Sequence, residues 1–235
     1  MLWTEKYRPT RLSEVLGQEH FVLDATHWVQ NKESPNLLLH GGPGTGKTGA
    51  ALAFATSLLG EDSSSNFFEI NASDDRRLEN VRTKIKDIAQ SSSIGDAPFR
   101  IVLLDEMDGM TTDAQNALKR LMERHASNIR FIITCNNRNK IIYALQSRCA
   151  NYHFKNLSFD IIEDAITNIL TREGHVVPAE IKPFIYAFNG DLRRTITELQ
   201  ASIASGVRLD LQVEKGLKQY EQITMNIVNK NPNEV

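Results

Sequence analysis

The chain has 235 residues, long for one ordinary domain and short for two full ones. Apolar residues make up 41% and charged residues 24%, proportions that exclude a disordered, collagenous or coiled-coil bulk. A formal net charge of −2 excludes a globally basic nucleic-acid binder, although not a local basic face.

The opening Trp3-Thr4-Glu5-Lys6-Tyr7-Arg8-Pro9 carries no signal-peptide core, and no apolar run along the chain approaches membrane length. Five short apolar runs follow, at 37–40, 67–70, 101–104, 130–135 and 152–154. Most are continuous rather than alternating, the pattern of strands covered on both faces of a parallel sheet. Helical patterns lie between them. Residues 47–59 are rich in Ala and Leu and stop at Gly60. Asp62-Ser63-Ser64-Ser65-Asn66 reads as a surface loop, and 91–98 as a second polar break. Leu78, Val81, Ile85 and Ile88 recur at helical spacing. Thr112 with Gln115 reads as a capping box that opens a helix with Ala114, Ala117, Leu118, Leu121 and Met122 on one stripe. Strand–helix alternation predicts an α/β domain with a doubly wound parallel five-stranded sheet over 1–155.

The pattern changes after Asn156, where a hinge is expected. Helices are predicted over 161–171, from Pro178 to a stop at Gly190, and from an Asp191 N-cap to about 204. These form a small helical domain over 156–206. The last 29 residues, 207–235, are weakly amphipathic.

The strongest chemical signal is Gly41-Gly42-Pro43-Gly44-Thr45-Gly46-Lys47-Thr48, which fits G-x-x-x-x-G-K-[ST] between a strand and a helix. Glycines let successive N–H groups curl inward at phosphate oxygens, and the helix that follows adds its positive end. Lys47 would reach the β- and γ-phosphates of ATP, and Thr48 would ligate Mg2+. Four apolar residues, 101–104, then deliver Asp105 and Glu106 to the carboxyl edge of a buried strand, where open α/β sheets bind ligands. Asp105 would hold the metal's water shell, and Glu106 would orient and deprotonate the water that attacks the γ-phosphate. Solvated acids at a strand end are the bland alternative; the phosphate loop 57 residues earlier argues against it. Asn136 ends another strand at the same edge. It could position the attacking water, although Asn136-Asn137-Arg138-Asn139 by itself reads as a turn.

Basic residues cluster twice. Arg76, Arg77, Arg82, Lys84 and Lys86 face one acid, Glu79, within 76–86, and Arg82 and Lys86 share a helix flank. Lys119, Arg120 and Arg124 form the second cluster. Without further information a solvated helix face explains both. Cys135 and Cys149 suit a reducing compartment, and with His153 they lack metal-ligand spacing. Trp28, with Val22 and Ala25, reads as helix core. His40 reads as a satisfied sheet-edge residue.

Taken together, these residues resemble the small subunit of replication factor C, the AAA+ sliding-clamp loader family of archaea and eukaryotes. The likeness runs from Trp3 to about residue 204. It implies a P-loop AAA+ fold whose helical domain is a lid, with ATP bound between the two. It places Tyr7, Arg8 and Pro9 near the adenine, with Val15, Gly17 and Gln18 continuing the base pocket. Gly42, Pro43, Gly44, Thr45 and Gly46 accompany Lys47 and Thr48 around the phosphates. Asn136 matches sensor 1. Arg148, in Gln146-Ser147-Arg148-Cys149, matches the arginine finger that enters a neighbour's site. Arg193, in Gly190-Asp191-Leu192-Arg193, matches sensor 2 and would touch the γ-phosphate. The likeness also turns the two basic helices into a DNA grip through Arg76, Arg82, Lys86, Lys119 and Arg120, reading backbone shape rather than bases. Arg76 matches a residue coupling DNA contact to the catalytic Glu, and Gln115 one at the junction between sites.

Arg77 departs from the family pattern, where Gly is usual, and so does Tyr143-Ala144, where Glu-Pro is usual. Residues 207–235 are too few for the family's collar domain, so the collar is expected to be absent or truncated. The implied function is an ATPase subunit of a clamp loader that couples ATP binding and hydrolysis to clamp opening and loading on primer–template DNA. The implied partners are small and large loader subunits in a hetero- or homo-oligomeric ring, the clamp and DNA, with no membrane. Localisation would be cytoplasmic in an archaeal or viral source and nuclear in a eukaryotic one. The alternative within AAA+ is a motor of origin binding or branch migration. A P-loop kinase would lack Glu106 as base and would need an acceptor site.

Overall fold

Five strands, β1 (Leu37–His40), β2 (Phe67–Asn71), β3 (Arg100–Asp105), β4 (Ile129–Cys135) and β5 (Ala150–His153), pair in parallel in the order β2-β3-β4-β1-β5. The structure, a computed structural model, describes residues 1–72, 78–90, 93–179 and 181–206, with backbone only at 78–80. Among these, no helix is long and apolar enough to cross a membrane.

The predicted strands are all present: β1 as expected, β2, β3 and β4 lengthened by one or two residues, and β5 starting two residues earlier and ending one residue earlier than the 152–154 run. Their continuous apolar character has the expected cause. Side chains alternate between sheet faces, and here each face meets its own helices. Leu38, Val102, Leu104, Phe131 and Ile133 pack with Val81, Ile85, Leu118 and Met122 from α5 (Leu78–Gln90) and α6 (Thr112–Arg124). On the other face, Leu37, Leu39, Ile101, Leu103 and Ile132 pack with Phe21 and Ala25 of α2 (Glu19–Asn31) and with Ala50, Ala51 and Phe54 of α3 (Lys47–Leu59). Trp28 of α2 meets Phe54 and Tyr152 edge-on.

Two local expectations change. The cap of α6 is Thr111, whose hydroxyl accepts from the Ala114 N–H, not Thr112. Gln115 does not complete a capping box, because its buried amide serves other backbone groups. It donates to Met110 O at 3.2 Å and Lys140 O at 2.9 Å, and accepts from Ile142 N at 2.8 Å. The polar run 62–66 is not an open loop. It forms a short helix, α4 (Ser63–Asn66), and Asn66 is fully buried. The Asn66 amide donates to Asp62 O and Ile94 O and accepts from Ile94 N, so three hydrogen bonds offset its desolvation.

The chain divides into two compact units, 9–155 and a second made of 1–8 with 156 onward. The division at 155–156 falls beside the hinge expected near Asn156, but Met1–Arg8 joins the helical residues. Within the second unit, α8 (Phe159–Arg172), α9 (Ile181–Tyr186) and α10 (Leu192–Ser205) share a core of Ile162, Ile166, Phe184, Ile196 and Leu199. Trp3, in the short helix α1 (Trp3–Lys6), is buried in that core, and its N–H donates to Gln200 Oε1 at 2.9 Å. Asp191 caps α10 as expected, accepting from Arg194 N at 2.9 Å.

Candidate nucleotide-binding and hydrolysis site

The phosphate loop leaves β1 between β4 and β5. Gly41 donates its N–H to Cys135 O at 3.3 Å, and with φ +152° any Cβ there would stand 2.1 Å from Phe154 O. Only glycine fits. Gly46, at φ +90°, turns the chain into α3, so the loop N–H groups and the helix N-terminus converge. Thr45 Oγ1 donates to Gly42 O at 2.9 Å and closes the loop on itself.

Lys47 is buried, and its ammonium donates to Gly41 O at 2.8 Å, Gly42 O at 2.7 Å and Asn136 Oδ1 at 3.0 Å. Asn136 therefore belongs to the same cluster as the loop lysine, beyond the turn role its neighbours suggest. Thr48 Oγ1 lies 3.1 and 3.2 Å from the two oxygens of Asp105, across the 57 residues that separate them. A hydroxyl and a carboxylate on one spot are the hard oxygen donors that Mg2+ takes, so these residues fit the metal.

Glu106 is exposed beside them in the left-handed region, φ 56° and ψ 42°. That conformation costs an L-residue about 1–2 kcal/mol and re-aims the side chain away from the strand direction. Thr134 of β4 supports the turn: its hydroxyl donates to Asp105 Oδ1 and accepts from the Glu106 N–H at 3.2 Å. Sequence reasoning passed over Thr134. The available signal was one hydroxyl in the otherwise apolar run Phe131-Ile132-Ile133-Thr134-Cys135.

The base-pocket candidates divide between the units. Pro9, Val15, Gly17 and Gln18 lie in the α/β unit. Pro9 presses on the start of α3, where Gly49 leaves room: a Cβ there would meet Pro9 Cγ at 3.0 Å. Gln18 is buried and donates through Nε2 to Lys155 O at 3.0 Å, while its Oε1 has no partner. A buried acceptor left over in this way suits an exocyclic amine such as that of adenine. Tyr7 and Arg8 lie in the helical unit, where the Tyr7 hydroxyl donates to Glu173 Oε1 at 2.7 Å. Arg193 is exposed in the first turn of α10 in that unit.

Arg148 follows the short helix α7 (Tyr143–Gln146) in the α/β unit, with its guanidinium on Glu123 of α6. The basic helices α5 and α6 share one sheet face. Arg82 and Arg120 are exposed there, and Lys86 and Lys119 half-buried. Arg76 and Arg77 lie outside the described residues, as does 207–235. His40 stacks on His153, ring centroids 5.1 Å apart. Burial pushes the Cys135 and Cys149 thiols up to about 12. Among the described residues, no group of His, Cys, Asp and Glu gathers as a metal cluster.

A nucleotide loop, a metal-competent hydroxyl–carboxylate pair and an acid on one sheet edge are the parts of a P-loop nucleotide site. Residues 37–157 match the ATPase family associated with various cellular activities (AAA), which sets the class. The named relatives narrow it. The replication factor C small subunit of Methanococcus maripaludis strain S2 is 44% identical over 203 residues, covering 86% of this chain and 64% of that protein. That of Methanocella arvoryzae is 45% identical over 89% of this chain and 66% of its own length. That of Methanosarcina acetivorans is 42% identical over 100% and 68%. The chain belongs to the replication factor C small-subunit family, and it spans about two thirds of the length of these relatives. Among solved structures, the Thermotoga maritima RuvB Holliday junction branch migration motor superimposes with a TM-score of 0.70 at 15% identity. It covers 90% of this chain and 72% of that one, a likeness of fold.

Proposed function

We propose that the chain is an ATP-hydrolysing subunit of a sliding-clamp loader. The observation that carries the reading is the convergence of Lys47, Thr48, Asp105, Asn136 and Glu106 on one sheet edge. Lys47 would exchange its carbonyl partners for β- and γ-phosphate oxygens, and the loop N–H groups from Gly42 to Gly46, with Pro43 fixing the turn, would cradle them. Thr48 and Asp105 would hold Mg2+, which supplies charge neutralisation on the phosphates. Glu106 would take the proton of the attacking water while Asn136 orients it. Positioning and electrostatics carry phosphoryl transfer, and these side chains supply both.

The base would meet Tyr7, Arg8, Pro9, Val15, Gly17 and Gln18. Arg193 would reach the γ-phosphate from its own subunit and Arg148 that of a neighbour. Clamp, primer–template DNA and further loader subunits are the partners proposed, with DNA phosphates gripped by Arg76, Arg82, Lys86, Lys119 and Arg120. Relatives from Methanococcus, Methanocella and Methanosarcina favour the cytoplasmic alternative. The test is Mg2+-dependent ATP turnover with clamp, primed DNA and partner subunits. Turnover stimulated by clamp and DNA supports the reading; a chain that binds no ATP overturns it.

A further inference from the structure

We infer that Thr134 is a positioning residue of the hydrolytic site, clamping both the Asp105 carboxylate and the Glu106 turn. The inference rests on the ATP-hydrolysing reading above. Thr134 is 1% exposed and sits in a strand segment of Phe and Ile, where valine would fill the same space without a desolvation cost. Packing therefore does not account for the hydroxyl. Its two hydrogen bonds do. They run to consecutive residues at the end of β3: Oγ1 donates to Asp105 Oδ1 and accepts from Glu106 N at 3.2 Å.

Each bond has a separate consequence. Asp105 is gripped from two sides, by Thr134 on β4 and by Thr48 Oγ1 at 3.1 and 3.2 Å. A carboxylate held by two hydroxyls cannot swing about its own axis, so the face it offers to a metal is set before the metal arrives. The bond to Glu106 N pins the first atom of a residue in the left-handed region. Without that acceptor the turn has less to hold it, and the Glu106 side chain loses its fixed origin. One hydroxyl thus ties metal binding to base placement, the supporting role that outer-shell partners play in metal sites.

The test compares Thr134→Val and Thr134→Ser with the parent, in the full chain. A fluorescent ATP analogue is titrated with Mg2+ and again with EDTA, and turnover is measured beside it. Thr134→Val should bind as the parent does in EDTA, and should lose about 10–100-fold of the Mg2+-dependent affinity or turnover. Thr134→Ser, which keeps the hydroxyl, should recover most of it. The affinity ratio is read on folded protein, so lower stability does not imitate the effect. Should the valine variant not fold, Thr134→Ala removes the hydroxyl without adding bulk and carries the same expectation. A hydroxyl-free variant with both the parent's Mg2+ ratio and the parent's turnover, or a serine variant as impaired as valine, overturns the positioning role and leaves the ATPase reading standing. A parent that binds no nucleotide overturns that reading and this inference with it.

Discussion

Arg148 lies on Glu123 of the same chain, with Nε 3.0 Å from Oε1, while Nη1 donates to Ala144 O at 2.7 Å. The pair is about one third and one half exposed, and ion pairs of that kind are worth about 0–1 kcal/mol. A neighbour's phosphate is a stronger ligand for a guanidinium, so Glu123 can park the arginine without trapping it. Arg148→Ala should therefore fold and bind ATP nearly as the parent does. A subunit with Arg148→Ala and one with Lys47→Ala should each be inactive alone and recover part of the turnover when mixed in a demonstrated oligomer, one giving the site and the other the finger. An arginine finger is worth about 10³–10⁵ in rate. Mixed oligomers that stay inactive would make Arg148 a structural residue.

Lys47→Ala should abolish detectable turnover, since its buried ammonium donates to the loop carbonyls of Gly41 and Gly42 and would pass to the phosphate oxygens. Glu106→Gln should keep ATP binding and stop hydrolysis, because the amide cannot take a proton. Nucleotide titration beside turnover separates the two, and a Gln variant with parental rates would remove Glu106 as the base.

Arg82→Ala with Lys86→Ala should weaken DNA binding by the assembled loader equally on unrelated sequences. Each lost phosphate contact should flatten the salt dependence by about one unit, two for the pair. A slope identical to the parent's would return the α5 flank to the role of a solvated face.

Stability should fall in mild acid. Burial, then His153, Arg138 and Lys47, lowers the His40 pKa below its ordinary 6.5, and burial lowers that of His125. The unfolded chain then binds more protons than the native one as pH drops through 6.5. The native advantage is full above that value and erodes down to the depressed folded pKa. Glu14 and Glu173, whose pKa values are also lowered, act only below about their ordinary 4.5. Melting at pH 7.5 and 5.5 should show a smaller drop for His40→Gln than for the parent; equal drops would exonerate His40.

The sheet, its helices and the phosphate loop were legible because each obeys a local rule: continuous apolar strands, glycine where a Cβ collides, a helix stop at Gly60. Lys47, Thr48, Asp105 and Glu106 were legible as spaced motifs. Thr134 and Glu123 were not, because their roles arise from pairing between distant segments, and no spacing rule marks a threonine on β4 as the neighbour of an aspartate on β3. Gln115 misled for a related reason. Its position three residues after Thr112 imitates a cap, whereas burial commits its amide to Met110, Lys140 and Ile142. Arg148 and Arg193 came from the family likeness alone.

Trp3 gives the helical unit an unusual order of synthesis. The indole is made well before the helices that enclose it, and the Trp3 backbone N–H finds its partner, Gln200 Oε1, 197 residues further along the chain. The α/β unit, contiguous over 9–155, has all its strands before α8 begins. During translation it can fold while Trp3 still waits in water, and the helical core closes only when both ends of that long loop meet. A fragment beginning at 156 should therefore fold poorly unless residues 1–8 are supplied, even though every one of its helices is present.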